Sequence, residues 1–366
     1  MLGISVYPTK APTEESIAYL KLAAHYGFKR VFASLLDVTP ENKDAILAQF
    51  KTVFTVANEL GMYVTIDANP RLFDTLGVDY HHLGLFKDLG ASAIRLDANF
   101  DGLTESMMSY EDSGLDIELN LSVDTGNIGN IMSYLPNKQR LSGCHNFYPQ
   151  RFTGLDLDFF TKCTEKYRQM GLKTAAFVTS QVATTGPHPF NDGLPTLEIH
   201  RDLPIVVQAK HLFATGLIDD VLISNQFASE AELQQLSQLN QSQLSLAVDF
   251  EPTATPLEKE ILLAHQHFNR GDVNSYSVRS TFVKLQYKDQ SIPVNHAGAT
   301  LQPGDVVIGN DSFGQYKGEV NIVKQPMPNI DQHKNVVGHL VPDEQFLIPY
   351  IQPWMKFRFE DAHPIQ

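Results

Sequence analysis

The chain has 366 residues, 43% hydrophobic and 19% charged, with a formal net charge of −14. That length accommodates a barrel of roughly 250 residues plus a smaller domain, and the composition excludes disordered and fibrous classes. The negative balance also excludes a surface that tracks the phosphates of a long nucleic acid, although one basic pocket for a small anion stays open.

Short apolar runs alternate with amphipathic stretches up to about residue 240, a rhythm that implies parallel strands linked by helices. The predicted strands are residues 2–7, 30–36, 63–69, 93–99, 116–122, 141–148, 173–180 and 219–226. Between them, helices start after Thr13 and the Thr39-Pro40-Glu41 segment. Several stop at Gly27, Gly61, Gly90, Gly171 and Gly216. The first strand runs into Tyr7-Pro8 with no glycine-rich phosphate loop, which argues against an open doubly wound sheet and for a closed (β/α)8 barrel. A polar stretch at 237–243 marks the boundary between a barrel domain, 1–240, and a β-rich domain, 241–366. In the latter, a helix is expected over 257–268 and strands over 278–285, 305–309, 319–324, 336–341 and 355–360.

Polar residues recur at every second position near three strand ends: Thr65, Asp67 and Asn69; Arg95, Asp97 and Asn99; Glu118, Asn120 and Ser122. Their alternates, including Val64, Ile66, Ile94, Leu96, Ile117 and Leu119, must face helices, so the polar rows point into the barrel mouth. Adjacent strands lie about 4.8 Å apart, which puts Asp67, Asp97 and Glu118 at spacings suited to glycosidic acid/base chemistry. These three are the candidate catalytic residues, with Asp97 expected as the general acid and Asp67 or Glu118 as its partner carboxylate. Arg95 shares their face and could instead neutralise Asp67 or Glu118.

On the sixth strand, alternation favours Asn146 and Tyr148 inward, with His145 at the rim. Tyr7, Asn69, Arg95, Asn120, His145, Asn146 and Tyr148 are the candidate sugar ligands. Arg151, Arg201, Arg279 and Lys317 are the candidate phosphate ligands. The long stretch 181–203, with His188, Asp192, Glu198, His200 and Arg201, is expected to shape the site. Neither a metal nor a cofactor is expected: the 13 histidines form no HExxH motif, and no lysine ends a predicted barrel strand as a Schiff-base aldolase would need.

Two cysteines, Cys144 and Cys163, are too few for a disulfide scaffold. Residues 1–8 lack the basic start and apolar stretch of a secretion signal, and no run approaches the roughly 20 apolar residues of a membrane span. A cytoplasmic protein without nucleic-acid or membrane partners is expected.

Several segments together resemble the 6-phospho-N-acetylmuramidase family. They are Gly3-Ile4-Ser5-Val6-Tyr7-Pro8, Ile94-Arg95-Leu96-Asp97, Ile117-Glu118-Leu119-Asn120, His145-Asn146-Phe147-Tyr148-Pro149 and Gln208-Ala209-Lys210-His211 running on to Asp219-Asp220. The second domain adds Val278-Arg279-Ser280-Thr281, Val307-Ile308-Gly309-Asn310 and Asn335-Val336-Val337-Gly338. Where the family often reads Gly-Glu-Leu-Gln-Ile, this chain has Gly318-Glu319-Val320-Asn321-Ile322. The resemblance implies a TIM-type barrel followed by a cyclophilin-like domain. It also implies hydrolysis of the β-1,4 bond of a phosphorylated amino-sugar disaccharide, 6-phospho-N-acetylmuramyl-N-acetylglucosamine, in peptidoglycan recycling. A non-catalytic sugar-phosphate binding protein, or a sugar-phosphate isomerase or epimerase on the same barrel, remains the alternative. The oligomeric state is left open.

Overall fold

The structure, a computed structural model, describes residues 1–189 and 192–364. Its Cα packing separates two compact units, Met1–Leu212 with Gly216–Leu239, and Asn240 onward with Phe213–Thr215.

In the first unit, eight parallel strands close into a barrel, with β1 bonded to both β2 and β8. They are β1 (Leu2–Ser5), β2 (Arg30–Ser34), β3 (Tyr63–Ala68), β4 (Ala93–Leu96), β5 (Asp116–Asn120), β6 (Leu141–Cys144), β7 (Lys173–Val178) and β8 (Asp220–Ile223). Helices follow in turn: α1 (Thr13–His25), α2 (Lys43–Glu59), α3 (Pro70–Leu76), α4 (Gly84–Asp88), α5 (Leu103–Met108), α6 (Asn127–Ser133), α7 (Leu157–Gln169), α8 (Ile205–Ala214) and α9 (Glu230–Ser237). All eight expected strands form, and each leaves the ladder before its apolar pattern ends. Asp97 and Asn146 therefore stand just past the last registered pairs, Asp97 with its amide still bonded to the Ala68 carbonyl at 2.8 Å.

The helix starts move slightly: Thr13 is the first helical residue of α1, and α2 begins after Asn42 rather than at the Thr39-Pro40-Glu41 turn. The five helix-ending glycines all take positive φ. At Gly90 the need is also steric, since a Cβ would lie 2.6 Å from the Asn58 amide nitrogen, which donates to the Gly90 carbonyl.

Val64, Ile66, Ile94, Leu96, Ile117 and Leu119 are completely buried on the helix-facing side. The alternates fill the barrel interior. Because barrel strands tilt by about 36°, a row of hydrogen-bonded partners descends as it passes round the barrel. One such row runs Ser34, Asp67, Arg95, Glu118, Ser142, Lys173. It starts at the cavity on the C-terminal side of the strands and ends at a depression on the opposite face.

In the second unit, seven strands form a sheet in the order β10-β17-β9-β16-β13-β14-β11. These are β9 (Leu244–Phe250), β10 (His267–Phe268), β11 (Ser277–Ser280), β13 (Asp305–Gly309), β14 (Val320–Val323), β16 (Lys334–Leu340) and β17 (Lys356–Asp361), while β12 (Thr300–Leu301) and β15 (Met327–Pro328) pair separately. Two expectations are corrected here. The helix expected over 257–268 stops at Leu263, as α10 (Pro256–Leu263), and His267–Phe268 pair with β17 instead. The run 278–285 is a short strand followed by a 3-10 turn at Val283–Gln286. The central strand β9 was missed although Leu244, Leu246 and Val248 alternate and are buried, because the polar boundary segment masked its start. Among the described residues, no helix is long and apolar enough to cross a membrane.

Candidate active site

The C-terminal ends of β1 to β4, the segment after β6 and the loop after β7 frame a cavity of about 330 Å³. Arg95 organises its polar side. One guanidinium nitrogen, Nη1, donates to Asp67 Oδ1 at 2.6 Å and to Asp97 Oδ1 at 3.3 Å, while Nη2 donates to Asn146 Oδ1. Bonded to one nitrogen, the two carboxylate oxygens lie within about 6 Å of each other.

Their surroundings differ: the Asp67 side chain is 7% exposed and that of Asp97 37%. Burial lifts the Asp67 pKa to about 6; the Arg95 charge opposes that rise and the Asp97 carboxylate adds to it. The Asn120 amide donates to the Asp97 carbonyl at 2.9 Å, which fixes the backbone that presents this carboxylate. Opposite, Phe32, Phe147 and Phe177 meet edge to face and form an apolar wall.

Of the residues expected to work together, the structure brings Tyr7, Asp67, Arg95, Asp97 and Asn146 to this cavity. The Tyr7 hydroxyl donates to the Ser224 carbonyl at 2.7 Å. Glu118 is elsewhere. It follows Arg95 in the descending row, bonds Arg30 Nη2 below the mouth, and is 1% exposed. Arg30 also donates to Asp220 Oδ2 at 2.8 Å, and these two line the depression on the opposite face of the barrel. Asn69 caps α3, its side chain accepting from the Leu72 amide.

His145 is not at the rim. It is fully buried behind the barrel wall, stacked on Phe160, with Nδ1 3.0 Å from Ser122 Oγ and Nε2 2.8 Å from Thr164 Oγ1. Burial, reinforced by the Arg95 charge, holds its pKa well below the ordinary range. Tyr148 does not line the cavity, and its carbonyl accepts from Arg201.

The expected phosphate ligands are engaged elsewhere. Arg151 forms an exposed two-pronged pair with Asp202. Arg201 is buried, bonded to Glu198 and to the carbonyls of Tyr148, Gln150, Asp192 and Gly193, so it braces the loop after β7. Glu198 also accepts from the amides of Phe152 and Gly154, and with the Arg201 hydrogen bond its pKa falls to about 2. In the second unit, Arg279 pairs with Glu319, and Lys317 donates to the Gln290 carbonyl. His200 in the same long loop is buried against His211, Nε2 to Nδ1 2.7 Å.

Sequence reasoning missed Thr9, Lys10, Ser34, Leu36 and Asp37, and did not single out the aromatic wall. Ser34 and Leu36 continue the β2 alternation and could have been found that way. Lys10 reaches the mouth only because a turn brings its amide 2.8 Å from the Tyr7 carbonyl. Among the described residues, no group of three or more His, Cys, Asp or Glu side chains could hold a metal ion.

Family models described as 6-phospho-N-acetylmuramidase, N-terminal, and 6-phospho-N-acetylmuramidase, C-terminal, match residues 2–238 and 244–360. A solved structure of an uncharacterized B. cereus protein is 48% identical, with 98% of this chain and 99% of that chain covered and a TM-score of 0.91. A conserved protein of unknown function from Enterococcus faecalis is 25% identical, covering 99% of this chain and 96% of its own, with a TM-score of 0.72. Comparison with curated proteins gives no match. With family models spanning both units, the chain belongs to the 6-phospho-N-acetylmuramidase family.

Proposed function

We propose that the barrel mouth hydrolyses the β-1,4 bond of 6-phospho-N-acetylmuramyl-N-acetylglucosamine in cytoplasmic peptidoglycan recycling. The observation that carries this reading is the pair Asp67 and Asp97, both bonded to Arg95 Nη1 at an open cavity. Asp67, with its pKa near 6, is suited to hold the proton that the leaving oxygen takes up. Asp97, the more open carboxylate, stabilises the positive charge that grows at the anomeric carbon, or attacks it. The expectation that Asp97 is the acid is thereby reversed. Arg95, Asn120 and Asn146 hold the pair in place.

An upper limit of about 6 Å between the two bonded oxygens is compatible with the roughly 5 to 5.5 Å spacing of retaining enzymes, and retention is also the outcome if the substrate's own 2-acetamido group is the nucleophile. The product should therefore first appear with the anomeric configuration of the substrate. Incubation with the phosphorylated disaccharide, followed by chromatography and proton NMR, tests both parts. Release of N-acetylglucosamine with retention is expected. Tight binding without release would identify a sugar-phosphate binding protein instead, and conversion of a monosaccharide phosphate with the disaccharide intact would identify an isomerase or epimerase.

A further inference from the structure

The proposed substrate carries a phosphate, yet the arginines near the mouth are committed. Arg95 is spent on Asp67, Asp97 and Asn146, Arg151 on Asp202, and Arg201 on Glu198 and backbone carbonyls. Many barrels hold phosphate on the loops after the seventh and eighth strands. Here those donors serve a carboxylate. Glu232 accepts from Ser180 Oγ at 2.8 Å, the Gln181 amide at 2.9 Å, and the Ser229 amide and hydroxyl at 2.9 and 3.0 Å. An internal anion thus occupies the usual position.

The described basic side chains lining the mouth are Lys10, Arg95 and His188. Lysine and arginine keep full positive charge across the ordinary pH range. Lys10 is 38% exposed, and its ion pair is to Asp37, itself 56% exposed, at 2.8 Å. An exposed pair of this kind is weak, because water screens both charges. A phosphate dianion offers more charge and more acceptor oxygens than one carboxylate. The turn that presents Lys10 is held: its amide donates to the Tyr7 carbonyl and Gln49 donates to the Pro8 carbonyl.

We propose that Lys10, beside Thr9, is the phosphate-recognition point of the mouth, and that it exchanges Asp37 for the 6-phosphoryl group of the substrate. This rests on the hydrolase reading for the identity of the sugar. Asp37 then has a defined task, holding the ammonium in place when the site is empty and competing with phosphate when it is not.

The test is titration calorimetry of the full chain with N-acetylmuramic acid 6-phosphate and N-acetylglucosamine 6-phosphate, alongside turnover of phosphorylated and unphosphorylated disaccharide. Lys10→Met should weaken binding of both phosphosugars about 10- to 100-fold and cut the phosphorylated-to-unphosphorylated ratio of kcat/KM by a similar factor. Lys10→Arg should recover most of it. Asp37→Asn should shift affinity the other way, tightening binding about two- to fivefold, a sign that a merely structural ion pair would not produce.

Equal affinities in wild type and Lys10→Met would overturn the assignment. So would a loss confined to N-acetylmuramic acid 6-phosphate, which would place the lactyl carboxylate at Lys10, or a wild type that binds neither phosphosugar. A wild type that binds both through Lys10 but releases no N-acetylglucosamine would sink the hydrolase reading and leave the phosphate site standing.

Discussion

Two arginine-carboxylate clusters sit at different depths in the same barrel, built from the same chemistry. Below, Arg30 is enclosed with Glu118 and Asp220; at the mouth, Arg95 holds Asp67 and Asp97. Arg95 and Glu118 are register partners on adjacent strands, while Phe32, Cys144, Ala175, Phe177 and Leu222 form an apolar cluster in the same barrel. In the lower cluster Glu118 is 1% exposed and does not line the mouth, while Asp220 also holds the N-terminal ammonium at 2.7 Å and borders, with Arg30, the depression on the opposite face. The upper one leaves a carboxylate 37% exposed beside a cavity. Depth, not residue type, separates a structural ion pair from a candidate catalytic one.

Asparagine substitutions give the sharpest contrast. Asp97→Asn and Asp67→Asn should each lower kcat on the phosphorylated disaccharide by about 10³-fold or more, measured by N-acetylglucosamine release. Asp97→Asn should do so with little change in thermal midpoint, because that side chain is partly exposed. Glu118→Gln should behave in the opposite way. It removes one partner of a buried pair, a change that costs about 3 to 5 kcal/mol, yet it should leave kcat close to wild type. Denaturant unfolding and turnover on the same preparation would read both. If Glu118→Gln abolished turnover with stability intact, the contrast between the two levels would fail.

A smaller effect is expected from pH. The folded pKa of Asp67, about 6, lies above its ordinary value near 4, so the native state binds the proton more tightly than the unfolded chain does. The stability linked to that proton is fully present below about pH 4 and lost as pH rises through about 6, and Asp67→Asn should flatten this part of the curve. If Asp67 is the acid, kcat/KM falls as pH rises through about 6. The limb in kcat should lie higher, because an anionic substrate favours the protonated carboxyl. A rate profile flat from pH 5 to 8 would assign the proton elsewhere. The least effect belongs to Arg151→Ala, whose exposed pair with Asp202 should affect neither unfolding midpoint nor turnover measurably.

Much of the fold could be read from residue order. Alternation at Val64, Ile66, Ile94 and Leu96 identified the helix-facing side, and glycines at helix ends marked the return to each strand. The same alternation correctly turned Asp67, Arg95 and Glu118 inward, yet it failed just past β6, where Asn146 is followed into the cavity by Phe147 rather than by Tyr148. Long-range commitments were equally hidden: nothing near Arg201 in the chain announces that it would brace the carbonyls of Tyr148 and Gln150.

By itself, then, the sequence determined which side chains face the barrel interior, because that is a local matter of a two-residue period. Only the tertiary structure decided how far along the axis each one lies. Closing tilted strands into a ring makes neighbours in register descend, so Asp67, Arg95 and Glu118, equivalent in pattern, end at successive depths. That stagger exists only once the eighth strand meets the first.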